Sequence, residues 1–126
     1  MKISSFQFSN PSITDVKFTK NLSFKFNKAA KMTNSFNIEI MNKNKDSAIV
    51  ELSIYINENI IENSPFKLSL KIRANFNWLG ELKNPDIFLR QNAPALLISY
   101  ARPIITNLTS SAGLPPYNIP FIDFTK

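Results

Sequence analysis

Hydrophobic and polar side chains alternate along four stretches of the chain between Val16 and Trp78. A period of two residues is typical of a β-strand with one buried and one solvated face. The stretches cover residues 16–26, 36–40, 50–56 and 66–78. The last of them has the most regular alternation and the greatest length. Before them, Phe6 and Phe8 alternate with polar neighbours, which marks residues 4–9 as a candidate edge strand.

Polar segments connect these predicted strands. Residues 42–46 are rich in Asn and Lys and separate the second strand from the third, as expected of an antiparallel hairpin. A longer polar loop, 57–64, ends at Pro65, immediately before the fourth strand. The four strands are therefore expected to form one antiparallel sheet.

The hydrophobic period becomes helical after Asn84. Asn84-Pro85 favours a helix start, because Pro is tolerated in the first turn. Residues 87–91 are expected to form a short turn that Ala93-Pro94 interrupts. A longer helix follows, with apolar residues three and four positions apart along one face. That face consists of Ala93, Leu96, Leu97, Tyr100, Ile104, Ile105 and Leu108.

The long helix has a clear end. Gly113 is placed just past its last turn, and Pro115-Pro116 prevents the helix from resuming. Pro103, inside the helix, is expected to kink it or to remove one backbone hydrogen bond. The apolar tail at 118–124 is expected to lie on the rest of the molecule.

These elements favour an α+β fold, a four-stranded antiparallel sheet with C-terminal helices packed on one face. A chain of 126 residues with 44% hydrophobic residues is expected to form one domain, 1–126. Its 11 Phe residues are unusual at this length. They either fill the core or form an apolar interaction surface.

The composition excludes several kinds of site. Without Cys or His there is no disulfide, no thiolate or imidazole metal site and no histidine base. The carboxylates are isolated and no glycine-rich phosphate-binding motif occurs, so we expect no enzymatic activity, no cofactor and no metal. The N-terminus lacks the apolar run of a signal peptide and no stretch approaches a membrane span, so the cytoplasm is expected.

The net charge of +6 raises nucleic-acid binding as a hypothesis. Lys67, Lys71 and Arg73 share the polar face of the fourth strand. An RNA-binding sheet would place aromatic side chains on that same face. Phe76 and Trp78 fall on the opposite face, so nucleic acid is the weaker alternative to the binding of other polypeptides through apolar surface.

Two segments resemble the SecB-type export chaperone family. The first is 18–25, Phe-Thr-Lys-Asn-Leu-Ser-Phe-Lys, which is similar to the family's pattern of an aromatic residue, T-K-D, an aliphatic residue and S-F-E. The second is 92–124, whose matching residues follow the family's order. They are Tyr100-Ala101-Arg102, Gly113, Pro115 or Pro116, Asn118, Pro120 and Phe124.

The resemblance implies a homotetramer built as a dimer of dimers, and a chaperone that works without ATP or metal. Such a chaperone binds unfolded or unprocessed polypeptides in long apolar grooves and delivers them to the translocation motor SecA. The groove region corresponds to Phe36, Phe76, Trp78, Tyr117 and Ile119. The motif residues with an expected structural role are Tyr100, Arg102, Gly113, Pro116 and Pro120.

Asn21 and Lys25 depart from the family pattern, which has acidic residues at these positions. In the family those carboxylates face SecA, so an amide and an ammonium are expected to weaken that docking. The family's last helix and tail, another SecA contact, have no counterpart before Lys126. We therefore favour a holdase for a dedicated client, such as an antitoxin. A general SecA-docking export chaperone and a basic nucleic-acid-binding sheet stay as alternatives.

Overall fold

A computed structural model describes residues 5–25, 30, 32–58, 64–80 and 82–125. Within these residues the strands are β1 (Phe6–Phe8), β2 (Ser12–Lys20), β3 (Asn34–Met41), β4 (Ser47–Ile56) and β5 (Phe66–Trp78). The helices are α1 (Pro85–Ile87), a π-helical turn (Phe88–Asn92) and α2 (Ala93–Ser111). None of the helices in this part of the chain is long and apolar enough to cross a membrane.

The strands form one antiparallel sheet with β5 and β4 at its centre. β3 pairs with the outer edge of β4, as the hairpin pattern predicted. Both β1 and β2 pair with the outer edge of β5, β1 with its last residues and β2 with its first two thirds. They act as one interrupted edge strand. The predicted α+β fold is confirmed. The described residues form five strands, one more than the four-stranded sheet that was predicted.

The first predicted strand, 16–26, occupies a different span in the structure. β2 runs from Ser12 to Lys20, and a turn follows it. Lys20 pairs with Phe66, the first residue of β5, so the partner strand ends where β2 ends. Pairing between strands, and not the alternation along one of them, therefore sets this boundary. Phe26 lies outside the described residues.

The helical region is continuous where an interruption was expected. α1 begins at Pro85, as predicted, and leads into the π-helical turn, in which the backbone N–H of Ala93 donates to the carbonyl oxygen of Phe88. Pro94 lies in the first turn of α2, where a missing N–H is tolerated. The change from π-helical to α-helical hydrogen bonding therefore falls next to Pro94, which has no N–H to donate. The prediction that Ala93-Pro94 interrupts the helix was wrong.

α2 packs across β4 and β5, and its buried face differs in part from the predicted one. Buried residues are Ala93, Pro94, Leu97, Ile98, Ala101, Ile105 and Thr109. Leu96 and Ile104 are half-buried, and Tyr100 is exposed. Ala101, which is 0% exposed, belongs to the buried face, although the predicted stripe did not include it. The helix continues through Pro103.

α2 ends as the sequence predicted. Gly113 has a left-handed backbone with φ 79, and its N–H donates to the carbonyl oxygen of Ser110. The N–H of Leu114 donates to the carbonyl oxygen of Thr109 at 3.0 Å. These two bonds form a Schellman motif, which satisfies carbonyls that the helix leaves unpaired.

The C-terminal tail, residues 114–125, folds back along α2. Arg102 donates from Nη2 to the carbonyl oxygen of Ile119, and Thr106 Oγ1 donates to the carbonyl oxygen of Tyr117 at 3.0 Å. Ile119 is 2% exposed. The expectation that the tail lies on the molecule is confirmed for its described residues, and polar bonds to α2 hold it there as well as apolar contact.

Candidate functional site

An aromatic trough lies between β1 and the helical region. It has a volume of about 460 Å³. It is lined by Phe6, Phe8, Phe76, Phe88, Asn92, Ala95 and Leu96. The trough brings together one face of the edge strand, the end of β5, the π-helical turn and the start of α2.

Strand register supplies the sheet side of the trough. Phe8 pairs with Phe76 and Phe6 pairs with Trp78, so these four aromatic side chains project from the same face of the sheet. Phe88 from the π-helical turn stacks on Phe6 with ring centroids 4.9 Å apart. Because Phe88 begins the π-helical turn, the local widening of the helix lies directly against the edge strand.

The rings form a connected series across the trough. Phe6 stacks on Phe76 at 5.6 Å and on Trp78 at 6.1 Å. At the outer end, Phe8 meets Tyr100 edge to face at 6.2 Å. Phe8 is 39% exposed and Tyr100 is 42% exposed, whereas Phe76 is buried. The trough thus has a rigid buried floor and an accessible aromatic rim.

Among the described residues that line the trough none is charged, and Asn92 is the one with a polar side chain. The carboxyl groups with shifted pKa values lie elsewhere. The Lys43 ammonium hydrogen-bonds Asp86 and holds the pKa of that carboxyl below its usual value, and the Thr125 hydroxyl does the same to the pKa of Asp123. A ligand of the trough would be held mainly by apolar contact. The side-chain amide of Asn92 could also donate hydrogen bonds to it from its NH₂ group and accept them at its oxygen.

One of the predicted groove residues, Phe76, lines the trough, and Trp78 lies next to it in contact with Phe6. Phe76 is 1% exposed and Trp78 is 6% exposed, with Trp78 Nε1 donating to the carbonyl oxygen of Lys45 at 3.0 Å. Their burial means that other side chains, chiefly Phe8, would make the direct contacts.

The other three predicted groove residues lie away from the trough. Phe36 is on β3, at the other edge of the sheet, and Tyr117 and Ile119 belong to the tail. Tyr117 donates from its hydroxyl to Asn34 Oδ1 at 3.0 Å and packs edge to face on Phe66 at 5.8 Å. Phe36 is half-buried and meets Phe124 at 6.1 Å, and Ile119 is buried. The structure therefore separates the predicted set into two groups, and a shared client groove stays a prediction.

Asn21 has an internal structural role. Its Nδ2 donates to the carbonyl oxygen of Ser64 at 2.9 Å, and its Oδ1 accepts from the backbone N–H of Ser23 at 2.9 Å. A carboxylate could accept the second bond but could not donate the first. The amide at this position is therefore explained by the joining of two loops. Lys25 is exposed.

The remaining motif residues fall into distinct places. Arg102 holds the tail, Gly113 ends α2, and Tyr100 lies on the rim of the trough. Pro116 and Pro120 are exposed along the tail.

Phe8 and Phe88 were missed as candidate site residues. The alternation around Phe8 was visible in the sequence as an edge strand, but its partner was not. Only the register of β1 on β5 and the π-helical turn bring these rings to one place. No local pattern in the sequence specifies either feature.

Comparison with known protein families gives a match over nearly the whole chain. The family model "Preprotein translocase subunit SecB" matches residues 6–126. The chain belongs to the SecB family. Its α2, tail and antiparallel sheet are thus the SecB-family elements that the resemblance implied.

Curated SecB relatives are identical to this chain at about a third of the positions within the aligned segments. A protein-export protein SecB from Anaplasma phagocytophilum is 34% identical over 84 residues, which cover 62% of this chain and 53% of the relative. One from Rickettsia rickettsii is 35% identical over 95 residues, covering 71% of this chain and 60% of the relative. The matched chain spans between half and two thirds of the length of these relatives.

Solved structures share the fold. A SecB-like chaperone of Mycobacterium tuberculosis, in complex with a peptide from an antitoxin, aligns with a TM-score of 0.77 and 13% identity over 94% of this chain and 91% of that one. A protein of unknown function from Streptococcus agalactiae aligns with a TM-score of 0.57 and 15% identity over 95% and 100% of the two chains. At these identities the likeness extends to the fold.

Proposed function

We propose that this SecB-family chain is a holdase chaperone that binds unfolded polypeptides through the aromatic trough, without ATP or metal. The client is a dedicated one, and a segment of an antitoxin is the type we favour. In this proposal the trough accepts apolar side chains of the client, and Asn92 hydrogen-bonds the client backbone.

The observation that carries the proposal is the exposed, uncharged rim of the trough. Phe8 and Tyr100 keep roughly two fifths of their surface accessible, on a floor of buried rings. Monomeric proteins rarely leave aromatic side chains gathered in this way unless they bind something apolar. An uncharged lining favours apolar segments, which an unfolded client exposes.

Family membership and the structural neighbour support the same role. The SecB-like chaperone from M. tuberculosis binds an antitoxin peptide and has the same fold. The internal role of Asn21 further favours a dedicated client over docking to SecA, because the amide is occupied by Ser64 and Ser23. General export through SecA is the alternative.

Suppression of aggregation tests the proposal. We expect the purified protein, at stoichiometric amounts, to suppress aggregation of an unfolded client diluted from denaturant. The double variant Phe8→Ser/Tyr100→Ser should need about tenfold more protein for the same effect, because the two exposed rings together contribute about 1.4 kcal/mol of apolar contact.

Phe121→Ser is the matched control, because Phe121 is 88% exposed on the tail and lies outside the trough. It should suppress aggregation as well as the unchanged protein does. Equal loss in both variants would show that any exposed aromatic residue serves, which contradicts a site at the trough. No suppression by the unchanged protein would contradict the holdase role itself.

Two further measurements address the assembly and the alternative partner. We propose a homotetramer, a dimer of dimers, in which the outer edges of β2 and β3 are available for pairing between subunits. Light scattering should give a mass about four times that of the chain, and a monomer would contradict the assembly. A titration with SecA at low salt should give no binding, and measurable affinity would favour general export.

A further inference from the structure

A row of lysines lies on the solvated face of the sheet, opposite α2. Lys17 on β2 pairs with Ser69 on β5, and Lys67 and Lys71 lie two residues to either side of Ser69. Directly paired residues and residues two apart share a face, so all three ammonium groups project into the same solvent. We call this set the lysine row.

The lysine row has a regular spacing. Lys67 and Lys71 are separated by about 13 Å along β5 at about 3.3 Å per residue, and Lys17 lies opposite the midpoint. The three charges therefore step along the strand direction at intervals of about 6.6 Å. That interval equals the repeat of side chains on one face of an extended polypeptide.

The three lysines are exposed and make no ion pair with a described residue. The neighbouring Arg73 is different, because its Nη2 lies 3.4 Å from Oε2 of the buried Glu51. Arg73 is therefore already paired with a carboxylate of the sheet, whereas the ammonium groups of the lysine row can bind a partner.

A shallow pocket of about 390 Å³ lies along the row. Besides the lysines, its lining includes the polar side chains of Thr19, Tyr55 and Ser69. These hydroxyl groups can donate to carboxylate oxygens between the ammonium groups. The pocket thus offers both charge and hydrogen-bond donors to an anionic chain.

Two carboxylates limit the length of what can bind. Asp15 lies opposite Lys71 in the register of β2 on β5, at one end of the pocket. Glu58 lines the pocket near Lys67, at the other end. A polyanion that runs past the row keeps the repulsion of these carboxylates without gaining another ammonium group from the described lining of the pocket. Tyr55 is the one aromatic side chain among the described residues lining this pocket, so these residues do not form the aromatic platform that single-stranded nucleic acid uses.

We propose that the lysine row binds a short acidic segment of a protein partner, extended along β5, with acidic residues at alternate positions. The site is separate from the aromatic trough and does not depend on the proposed holdase function.

Peptide binding tests this inference. The probe is a fluorescent peptide in which Asp alternates with Ser, and its affinity is measured by anisotropy as salt is raised. We expect binding at low salt that weakens as the ionic strength screens the charges. In Lys17→Gln/Lys67→Gln/Lys71→Gln the affinity should fall about tenfold. Each exposed ion pair between a lysine and the peptide accounts for part of this loss, and the three parts add.

The control removes the same charge elsewhere, in Lys45→Gln/Lys83→Gln/Arg90→Gln, and should keep most of the affinity. Equal loss in the two variants would overturn the proposal in favour of net charge alone. Absence of binding by the unchanged protein at low salt would also overturn it. Tighter binding of a single-stranded oligothymidylate than of the peptide would favour the nucleic-acid alternative and reject the peptide site.

Amide chemical shifts of the unchanged protein give a test that does not depend on variants. On titration with the peptide, the largest shifts should fall at Thr19, Tyr55 and Ser69. Shifts concentrated at Phe8 and Leu96 would place the peptide in the aromatic trough and contradict the proposal. A peptide with the same Asp residues placed consecutively should bind more weakly, because its charges do not match the interval of the row.

Discussion

Asn57 joins three parts of the sheet through one buried side chain. It is 1% exposed and has a left-handed backbone with φ 58. Its Oδ1 accepts from the N–H of Thr33 at 2.9 Å, and its Nδ2 donates to the carbonyl oxygen of Phe66 at 2.8 Å. It therefore links the end of β4 to the starts of β3 and β5. The sequence showed only a polar loop here.

Asn57→Ala should lower the free energy of unfolding by about 3 kcal/mol. Two buried hydrogen bonds contribute about 1 kcal/mol each and leave their partners unpaired, and a left-handed backbone costs Ala about 1 kcal/mol. Urea denaturation measures the change. Asn57→Gly is the matched control, because it loses the bonds without the strain and should cost about 2 kcal/mol. A loss below about 1 kcal/mol in both would contradict the joining role.

Alanine variants of Gly113 and Gly80 distinguish the cost of backbone strain from the effect of reduced chain flexibility. Gly113→Ala should cost about 1 kcal/mol, since φ is 79 there and the added Cβ meets only Lys20 Nζ at 3.6 Å, an ordinary contact. Gly80→Ala meets nothing within 4 Å and should be neutral or slightly stabilising. Thermal unfolding of both variants provides the comparison. A neutral Gly113→Ala would contradict the Schellman end of α2.

At the scale of elements, Thr109 of α2 supplies one of the hydrogen bonds that hold the tail. Thr109 Oγ1 accepts from the backbone N–H of Tyr117 at 2.9 Å and donates to the carbonyl oxygen of Ile105 at 3.1 Å. Thr109→Val keeps the shape but leaves the Tyr117 N–H without its acceptor. Hydrogen exchange at Tyr117 should accelerate about tenfold, which corresponds to the loss of a hydrogen bond of about 1.4 kcal/mol. Thr19→Val, on the exposed face of β2, should leave that rate unchanged.

The ion pair between Lys43 and Asp86 connects the β3–β4 hairpin to α1. The hydrogen bond from Lys43 lowers the pKa of Asp86 below 3.8. A carboxyl with a lowered pKa in the folded protein stabilises it above the unfolded pKa, and that contribution disappears as pH falls through the folded pKa. In Lys43→Gln, the pKa of Asp86 should rise toward 3.8 in an NMR titration. Lys83→Gln should leave it unchanged, and equal shifts in both variants would point to net charge.

At the scale of the whole molecule, the sheet separates two surfaces of opposite character. The aromatic trough lies on the helical face and the lysine row on the solvated face. We expect Phe8→Ser/Tyr100→Ser to reduce suppression of aggregation without changing binding of the acidic peptide. The lysine-row variant should do the reverse, and the combined variant should show both losses additively. Each assay is run on all three proteins, and a loss in the wrong assay would show that the two surfaces are coupled.

Most of the fold followed from the sequence because its period is strong. The alternation at 66–78 matches β5 residue for residue, and Gly113 marked the end of α2. The site followed less well. Phe76, which lines the trough, was among the residues named from the sequence, but Phe8 was not, because its contribution depends on pairing with a strand about 70 residues away.

The sequence by itself determined which segments are strands or helices and which face of each is apolar, because those properties depend on neighbouring residues and on the period. It also determined the absence of Cys and His, and the motifs shared with SecB. Only the tertiary structure decided the register of β1 on β5, the π-helical turn, and the alignment of Lys17 between Lys67 and Lys71. These depend on contacts between distant residues, whose energies are settled when the whole sheet and α2 pack together.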